Sequence, residues 1–227
     1  NSKFTGWHTG FPDANLRIIP ESGMILPFEK DTVFFSSEFS GRSEEICPRA
    51  VLRRVLKRAE EMGFVAKAAM EFEFFMFHET PDSLEEKNFQ DLHTLSPGNF
   101  SYSAIRSIVF EDLYHDILDT FDSIGIELEG LHAETGPGVV ETAIAVDDAL
   151  AMADKASIFK AFMKILAQKR GLMATFMAKW NQHLSGQSGH THMSLWSLDG
   201  TPRFYDPNGT YQMSQTMRHF FGGQCKY

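Results

Sequence analysis

Phe64-Val-Ala-Lys-Ala-Ala-Met-Glu71-Phe-Glu73-Phe-Phe-Met-Phe77 is a mostly apolar run that follows Gly63 directly and carries two acids in its second half. The pattern predicts a strand over 64–77. Successive strand side chains point to opposite faces, so Glu71 and Glu73 share one face. Carboxylates set in an apolar run are costly unless something pairs with them, and the rest of the chain is searched for that partner.

Upstream, Pro48 opens a helix at a position where its missing N-H costs nothing, and Val51, Leu52, Val55, Leu56, Ala59 and Met62 recur at helical spacing up to Gly63. Lys and Arg fill its other side. Residues 1–46 are rich in Gly, Pro, Ser and aromatics, with a short apolar run at Thr32-Val-Phe-Phe35, and read as short strands and loops. Downstream, 78–102 is a polar excursion with no assigned chemistry. One helix is expected from a Ser103 cap to about Ser123, with Ile105, Ile108, Val109, Leu113, Ile117 and Phe121 as its apolar stripe. A strand over 126–132 leads into His132-Ala-Glu134-Thr-Gly-Pro-Gly-Val-Val-Glu141, and a short strand over 142–146 follows. Next comes a long helix capped by Asp147 or Asp148, burying Met152, Ile158, Phe159, Phe162, Ile165 and Leu166 and closed by Gly171. Strands are expected over 172–178 and 190–196, separated by a Ser/Gly/Gln loop, with a turn at Asp199-Gly200 leading into 202–205.

Three stretches hold groups that suit a cation. Glu134 and Glu141 flank a Gly-Pro-Gly turn that can return both to one point. Glu71 and Glu73 alternate on a strand, as do His190 and His192. Two unit charges of like sign 4 Å apart repel by about 4 kcal/mol at an effective dielectric of 20, so four converging carboxylates call for a cation among them. Each stretch alone has a bland reading: a half-exposed strand, a satisfied pair of core histidines, a solvated loop. Together they point to a divalent-metal site serving phosphoryl transfer. Hard oxygen donors with at most one imidazole per ion suit magnesium or manganese rather than zinc.

Composition narrows the setting. The chain has 227 residues, 43% hydrophobic and 22% charged, enough for a sizeable core in one large domain or two small ones. Its net charge of −9 disfavours a nucleic-acid partner held through phosphates. The two cysteines, Cys47 and Cys225, give no disulfide framework, which fits a reducing cytoplasm. No stretch approaches the roughly 18 apolar residues of a membrane span, and the polar start Asn1-Ser2-Lys3 is unlike a signal peptide. The missing initial methionine and the abrupt end at Cys225-Lys-Tyr227 suggest a fragment.

Five stretches, in this order, resemble the glutamine synthetase superfamily from about Thr9 to Tyr227. They are Ala69-Met-Glu-Phe-Glu-Phe-Phe75, Glu134-Thr-Gly-Pro-Gly-Val-Val-Glu141, Ala153-Asp154 with Lys160, Gly171-Leu-Met-Ala-Thr-Phe-Met-Ala-Lys179 and Gly186-Gln-Ser-Gly-His-Thr-His-Met-Ser194. The resemblance implies an α+β fold in which a curved, mainly antiparallel sheet is backed by helices. It places part of the catalytic domain at 47–227, after the end of a β-grasp domain at 1–46. It also implies one metal on Glu73, Glu134 and Glu141, a second on Glu71 and His190, nucleotide contacts at His192 and Ser194, and a substrate glycine at Gly186. The reaction implied is ATP- and Mg2+- or Mn2+-dependent: glutamate becomes γ-glutamyl phosphate, and ammonia or an amine displaces phosphate. A ring-shaped homo-oligomer is implied as well. Three departures, Val139, Trp180 and the loop Ser185-Gly-Gln-Ser-Gly189, lie near the substrate side and favour an amine other than ammonia. The family's later arginines and a further metal-binding glutamate fall beyond Tyr227, so the 227 residues are not expected to be catalytically complete by themselves. The rival readings are a non-catalytic scaffold of the same fold and a metal-dependent hydrolase.

Overall fold

Strand β5 (Phe64–Phe77), with the bounds expected from sequence, is the middle of the main sheet, and everything that positions the candidate site is registered against it. The computed structural model describes residues 5–227; the polar start at 1–3 lies outside the described residues. Along one edge, β5 pairs antiparallel with β7 (Val139–Asp148), which pairs with β6 (Leu128–Ala133). Its other edge is shared end to end: β8 (Met173–Thr175) lies opposite Phe75–Phe77, and β9 (Gly189–Ser197) lies opposite Phe64–Phe72. The sheet is antiparallel throughout and open.

Its apolar face explains the Phe-rich sequence. Phe74, Met76, Val140, Thr142 and Ile144 are buried on the side covered by helix α5 (Ala149–Lys169), whose Met152, Ala156, Phe159, Met163 and Leu166 recur every three or four residues. Phe159 is the hub: its ring stacks on Phe72 at 5.6 Å, meets Phe74 edge-on at 6.1 Å and reaches Phe121 of helix α4 (Glu111–Asp122) at 4.7 Å. Burying each such side chain contributes roughly 1.5–3 kcal/mol. Ile165, expected on this face, is 41% exposed on the other side of α5.

The single helix expected over 103–123 is two. Helix α3 (Ala104–Val109) takes its N-cap hydrogen bond from Ser103, as expected, but ends at Phe110 (φ −106°, ψ 24°), where α4 begins with Glu111 and Asp112 in its first turn. Acids at that position favour a new helix N-terminus through the backbone dipole. The break lets Leu113, Ile117 and Phe121 bury independently, whereas Ile105, Ile108 and Val109 stay exposed. The polar excursion contains a short helix α2 (Pro81–Glu86), and the chain's last part forms helix α6 (Gln215–Lys226).

The described residues up to Met62 form one compact unit and Gly63–Tyr227 another. In the first, β1 (Leu16–Ile18) pairs with β4 (Ser37–Phe39), β2 (Met24–Ile25) pairs with β3 (Val33–Phe34), and helix α1 (Pro48–Glu61) follows. The short strands match the expectation for this stretch. The stripe expected on α1 holds in part: Leu52, Leu56 and Ala59 are half-buried beside the buried Ala50, while Val51, Val55 and Met62 are exposed. The helix also turns Arg49 and Arg53 toward the buried Glu38, with Nη···Oε distances of 3.1 and 3.2 Å, and Arg17 completes the ring of donors. Hydrogen bonding by Arg17 holds the Glu38 carboxyl below its usual range against the effect of burial.

Candidate metal centre

Strand alternation and register together make a row of carboxylates and imidazoles on the face opposite α5. Glu71 lies across from His190, Glu73 across from Glu141, and Glu141 across from His132. Four strands therefore place His190, Glu71, Glu73, Glu141 and His132 on one surface. His190 Nδ1 is 2.7 Å from Glu71 Oε2, and His192 Nε2 is 3.1 Å from Glu71 Oε1. On the far side, His132 Nε2 is 3.1 Å from Glu141 Oε2 and 3.5 Å from Glu134 Oε2. Ligand atoms of Glu71, Glu141 and His190 lie within 4.8 Å of one another, as do those of His132, Glu134 and Glu141. Ion-to-ligand distances of about 2.0–2.6 Å would let one cation reach across either group. Glu141 belongs to both.

Glu134 enters by the turn. Its N-H donates to the Val139 carbonyl, and Gly136 (φ 129°) and Gly138 (φ 68°) give the backbone its reversal. A side chain at Gly138 would meet the Met76 carbonyl at 2.5 Å, so the turn is pressed onto β5. Glu134 Oε1 accepts from both the amide and the hydroxyl of Thr135, at 2.7 and 2.8 Å. Its Oε2 is buried without a hydrogen-bond partner, and so is His132 Nε2. Both atoms lie in ion-pair range, His132 Nε2 facing Glu134 Oε2 and Glu141 Oε2, without the geometry of a hydrogen bond.

The charges respond accordingly. Burial pushes Glu141 upward, His132 opposes this, and Glu73, Glu134 and Glu71 add to the rise. Glu71 is held below its usual value, first by hydrogen bonding to His190, against burial. For Glu134, burial raises the pKa, but hydrogen bonding by Thr135 and Tyr102 and the nearby His132 together leave it low. Glu134 pushes the Tyr102 hydroxyl up.

Glu73 stands in the row but belongs to neither cation group; its carboxylate accepts from Ser188 N at 3.0 Å and Ser188 Oγ at 2.6 Å. That pair draws the 185–189 loop to the sheet. Gly186 is confined there, since a Cβ would lie 2.8 Å from the Ala178 carbonyl. Ser194 Oγ accepts from Trp196 Nε1 at 2.9 Å. Val139 and Trp180, two of the three departures read as near the substrate side, belong to one apolar cluster with Phe75, Phe77, Leu92 and Met173 beyond the acidic row.

Two residues of the site carry no local sequence signal. His132 is placed only by the β6–β7 register. Tyr102 stacks on His132 with ring centroids 4.7 Å apart and planes 18° apart. The residue sits at φ 55°, a strained backbone for a bulky side chain, with its N-H donating to Ala133 O at 2.7 Å. No local pattern around Tyr102 announces that contact.

Residues 45–227 match the family model "Glutamine synthetase, catalytic domain". The chain is 40% identical over 228 aligned residues to type-1 glutamine synthetase 2 of Dictyostelium discoideum, covering 99% of this chain and 44% of that protein. It is 33% identical to a glutamate–isopropylamine ligase of a Pseudomonas species, covering 97% of this chain and 49% of that one. Among solved structures, GmaS in complex with ADP superposes with a TM-score of 0.81 at 27% identity, over 93% of this chain and 48% of that one. The chain spans about half the length of the curated relatives it matches. Sheet, ligand row and family model agree, and the chain belongs to the glutamine synthetase family, carrying part of its catalytic domain.

Proposed function

We propose that the protein is an ATP-dependent ligase that joins the γ-carboxyl of glutamate to ammonia or a small amine. The observation that carries this reading is the convergence of Glu71, Glu141 and His190, and of His132, Glu134 and Glu141, each group with its ligand atoms within 4.8 Å of one another, in a row of carboxylates that repel one another unless a cation is held. Glu73, Glu134 and Glu141, with His132 beside them, would hold one Mg2+ or Mn2+, and Glu71 with His190 a second. Bound there, such ions neutralise phosphate charge and orient the phosphoryl group for in-line transfer. His192 and Ser194 on β9 would face the nucleotide, and Gly186 the glutamate. A glutamate γ-carboxylate oxygen attacks the ATP γ-phosphorus and ADP leaves. The amine nitrogen then attacks the acyl carbon, phosphate leaves, and the nitrogen loses a proton.

A relative named as a glutamine synthetase and one named as a glutamate–isopropylamine ligase both match, so the amine is the open variable. Tyr102, exposed and stacked on His132, puts an aromatic ring beside the acidic row. We place the parent protein in the cytoplasm as a homo-oligomer, with the domain boundary near residues 46 and 47. The test is phosphate release by the protein as its gene encodes it, with ATP, Mg2+, glutamate and a panel of ammonia, methylamine, isopropylamine and ethanolamine. Release that requires glutamate and one of these amines is expected. ATP turnover without any need for glutamate, or hydrolysis of a substrate with no nucleotide present, would overturn the ligase reading.

A further inference from the structure

Glu79 is 1% exposed and has no part in the ligand row, yet its carboxylate is saturated. Oε1 accepts from Lys87 Nζ at 2.6 Å and from His93 N at 2.7 Å, while Oε2 accepts from Ser83 Oγ at 2.6 Å. These three donors come from α2, the turn after it and the returning limb of the excursion. The carboxylate is thus a knot at the neck of residues 78–95. That neck continues β5: His78 N donates to His93 O, Phe77 bridges Thr94, and Leu95 N donates to Met76 O, both hydrogen bonds at 2.8 Å. Met76 N in turn donates to Gly138 O at 2.8 Å, and a Cβ at Gly138 would lie 2.5 Å from Met76 O and 3.0 Å from Leu95 N. Leu92, carried by the same limb, packs into the cluster of Phe75, Phe77, Val139 and Trp180. The returning limb and β5 therefore form the floor on which the Glu134–Glu141 turn rests.

We propose that Glu79 is a positioning residue for the candidate metal centre, tying the 78–95 excursion so that its returning limb fixes the Gly138 turn and, through it, Glu134 and Glu141. The inference rests on the metal reading above. Replacing a buried, triply bonded carboxylate frees the limb at its neck, and the turn then loses the wall that Leu95 N and Leu92 provide. The Lys87, Ser83 and His93 bonds hold the acid at a pKa of about 2, so the knot stays ionised throughout the range in which a ligase of this kind is assayed.

The test is Mn2+ binding by calorimetry to the protein as its gene encodes it, at a temperature where circular dichroism shows each variant folded. Glu79→Gln and Lys87→Met are expected to weaken Mn2+ binding about tenfold, the lower end of what losing support behind metal ligands costs. Lys87→Arg, which keeps the ion pair, is expected to restore the wild-type value. Ile117→Val, a core change remote from the turn, serves as the structural control and should lower Tm without moving Mn2+ affinity. If Glu79→Gln lowers Tm but binds Mn2+ as the wild type does, the positioning role is overturned and Glu79 is a structural residue only. Should Glu79→Gln fail to fold, the contrast between Lys87→Met and Lys87→Arg decides the matter, equal affinities overturning the proposal. A wild-type protein that binds no Mn2+ would instead overturn the metal reading beneath it.

Discussion

Glu141 shows what the site demands of single residues. It lies between His132 and the other carboxylates, and burial together with Glu73, Glu134 and Glu71 raises its pKa. A carboxyl raised on folding contributes stability that is present below its unfolded value near 4.5 and is lost as pH rises through the folded value. Near neutral pH the metal-free protein therefore carries an unfavourable charge here. Glu141→Gln should raise the Tm of the metal-free protein by a few degrees, about what 1 kcal/mol does in a chain of this length, and weaken Mn2+ binding at least tenfold, roughly the size of effect that disturbing a metal site produces. Parallel thermal melts and metal titrations check both signs; a fall in metal-free Tm would mean that Glu141 is bonded as a structural acid. Glu71, Glu73, Glu134, Glu141 and His190 are readable from sequence because strand alternation and a Gly-Pro-Gly turn announce them. His132 and Glu79 are not, for different reasons. The role of His132 depends on the register between two strands, and Glu79 sits in a polar stretch where a buried carboxylate looks like any solvated one.

Among the elements, β5 was legible to the residue because fourteen residues of apolar and aromatic sequence follow a glycine with no competing helical period. Where α3 meets α4, the apolar spacing runs on through Phe110, so periodicity alone predicts one helix. Only the packing partner of α4, the Phe159 side of α5, shows that Leu113, Ile117 and Phe121 bury without Ile105 and Ile108. On α1 the same limit applies: the stripe of Val51, Val55 and Met62 is real in sequence, but the buried Glu38 draws Arg49 and Arg53 inward. The turn element makes the sharpest prediction. Gly138→Ala must hold a left-handed backbone, at about 1–2 kcal/mol, and push its Cβ away from the Met76 carbonyl at 2.5 Å. A Tm loss larger than that of Ile117→Val and a parallel loss of Mn2+ affinity are expected. Wild-type melting and binding in Gly138→Ala would show that the turn does not rest on β5 as described.

At the scale of the molecule, the half-length match to its relatives and the division at Met62 put the ligand row in the second unit, on a sheet that is open along β9. No described helix is long and apolar enough to cross a membrane. Four antiparallel strands and one glycine turn suffice to gather Glu71, Glu73, Glu134, Glu141, His132 and His190. The ligase reading depends on what that gathering holds. The most direct measurement is a crystal of the protein grown with Mn2+, with anomalous differences collected to locate manganese independently of any assumption about ligands. Two peaks are expected, one at Glu73, Glu134 and Glu141 beside His132 and one at Glu71 and His190. An anomalous map with no manganese on this face of the sheet, at a Mn2+ concentration that supports turnover, would contradict the account.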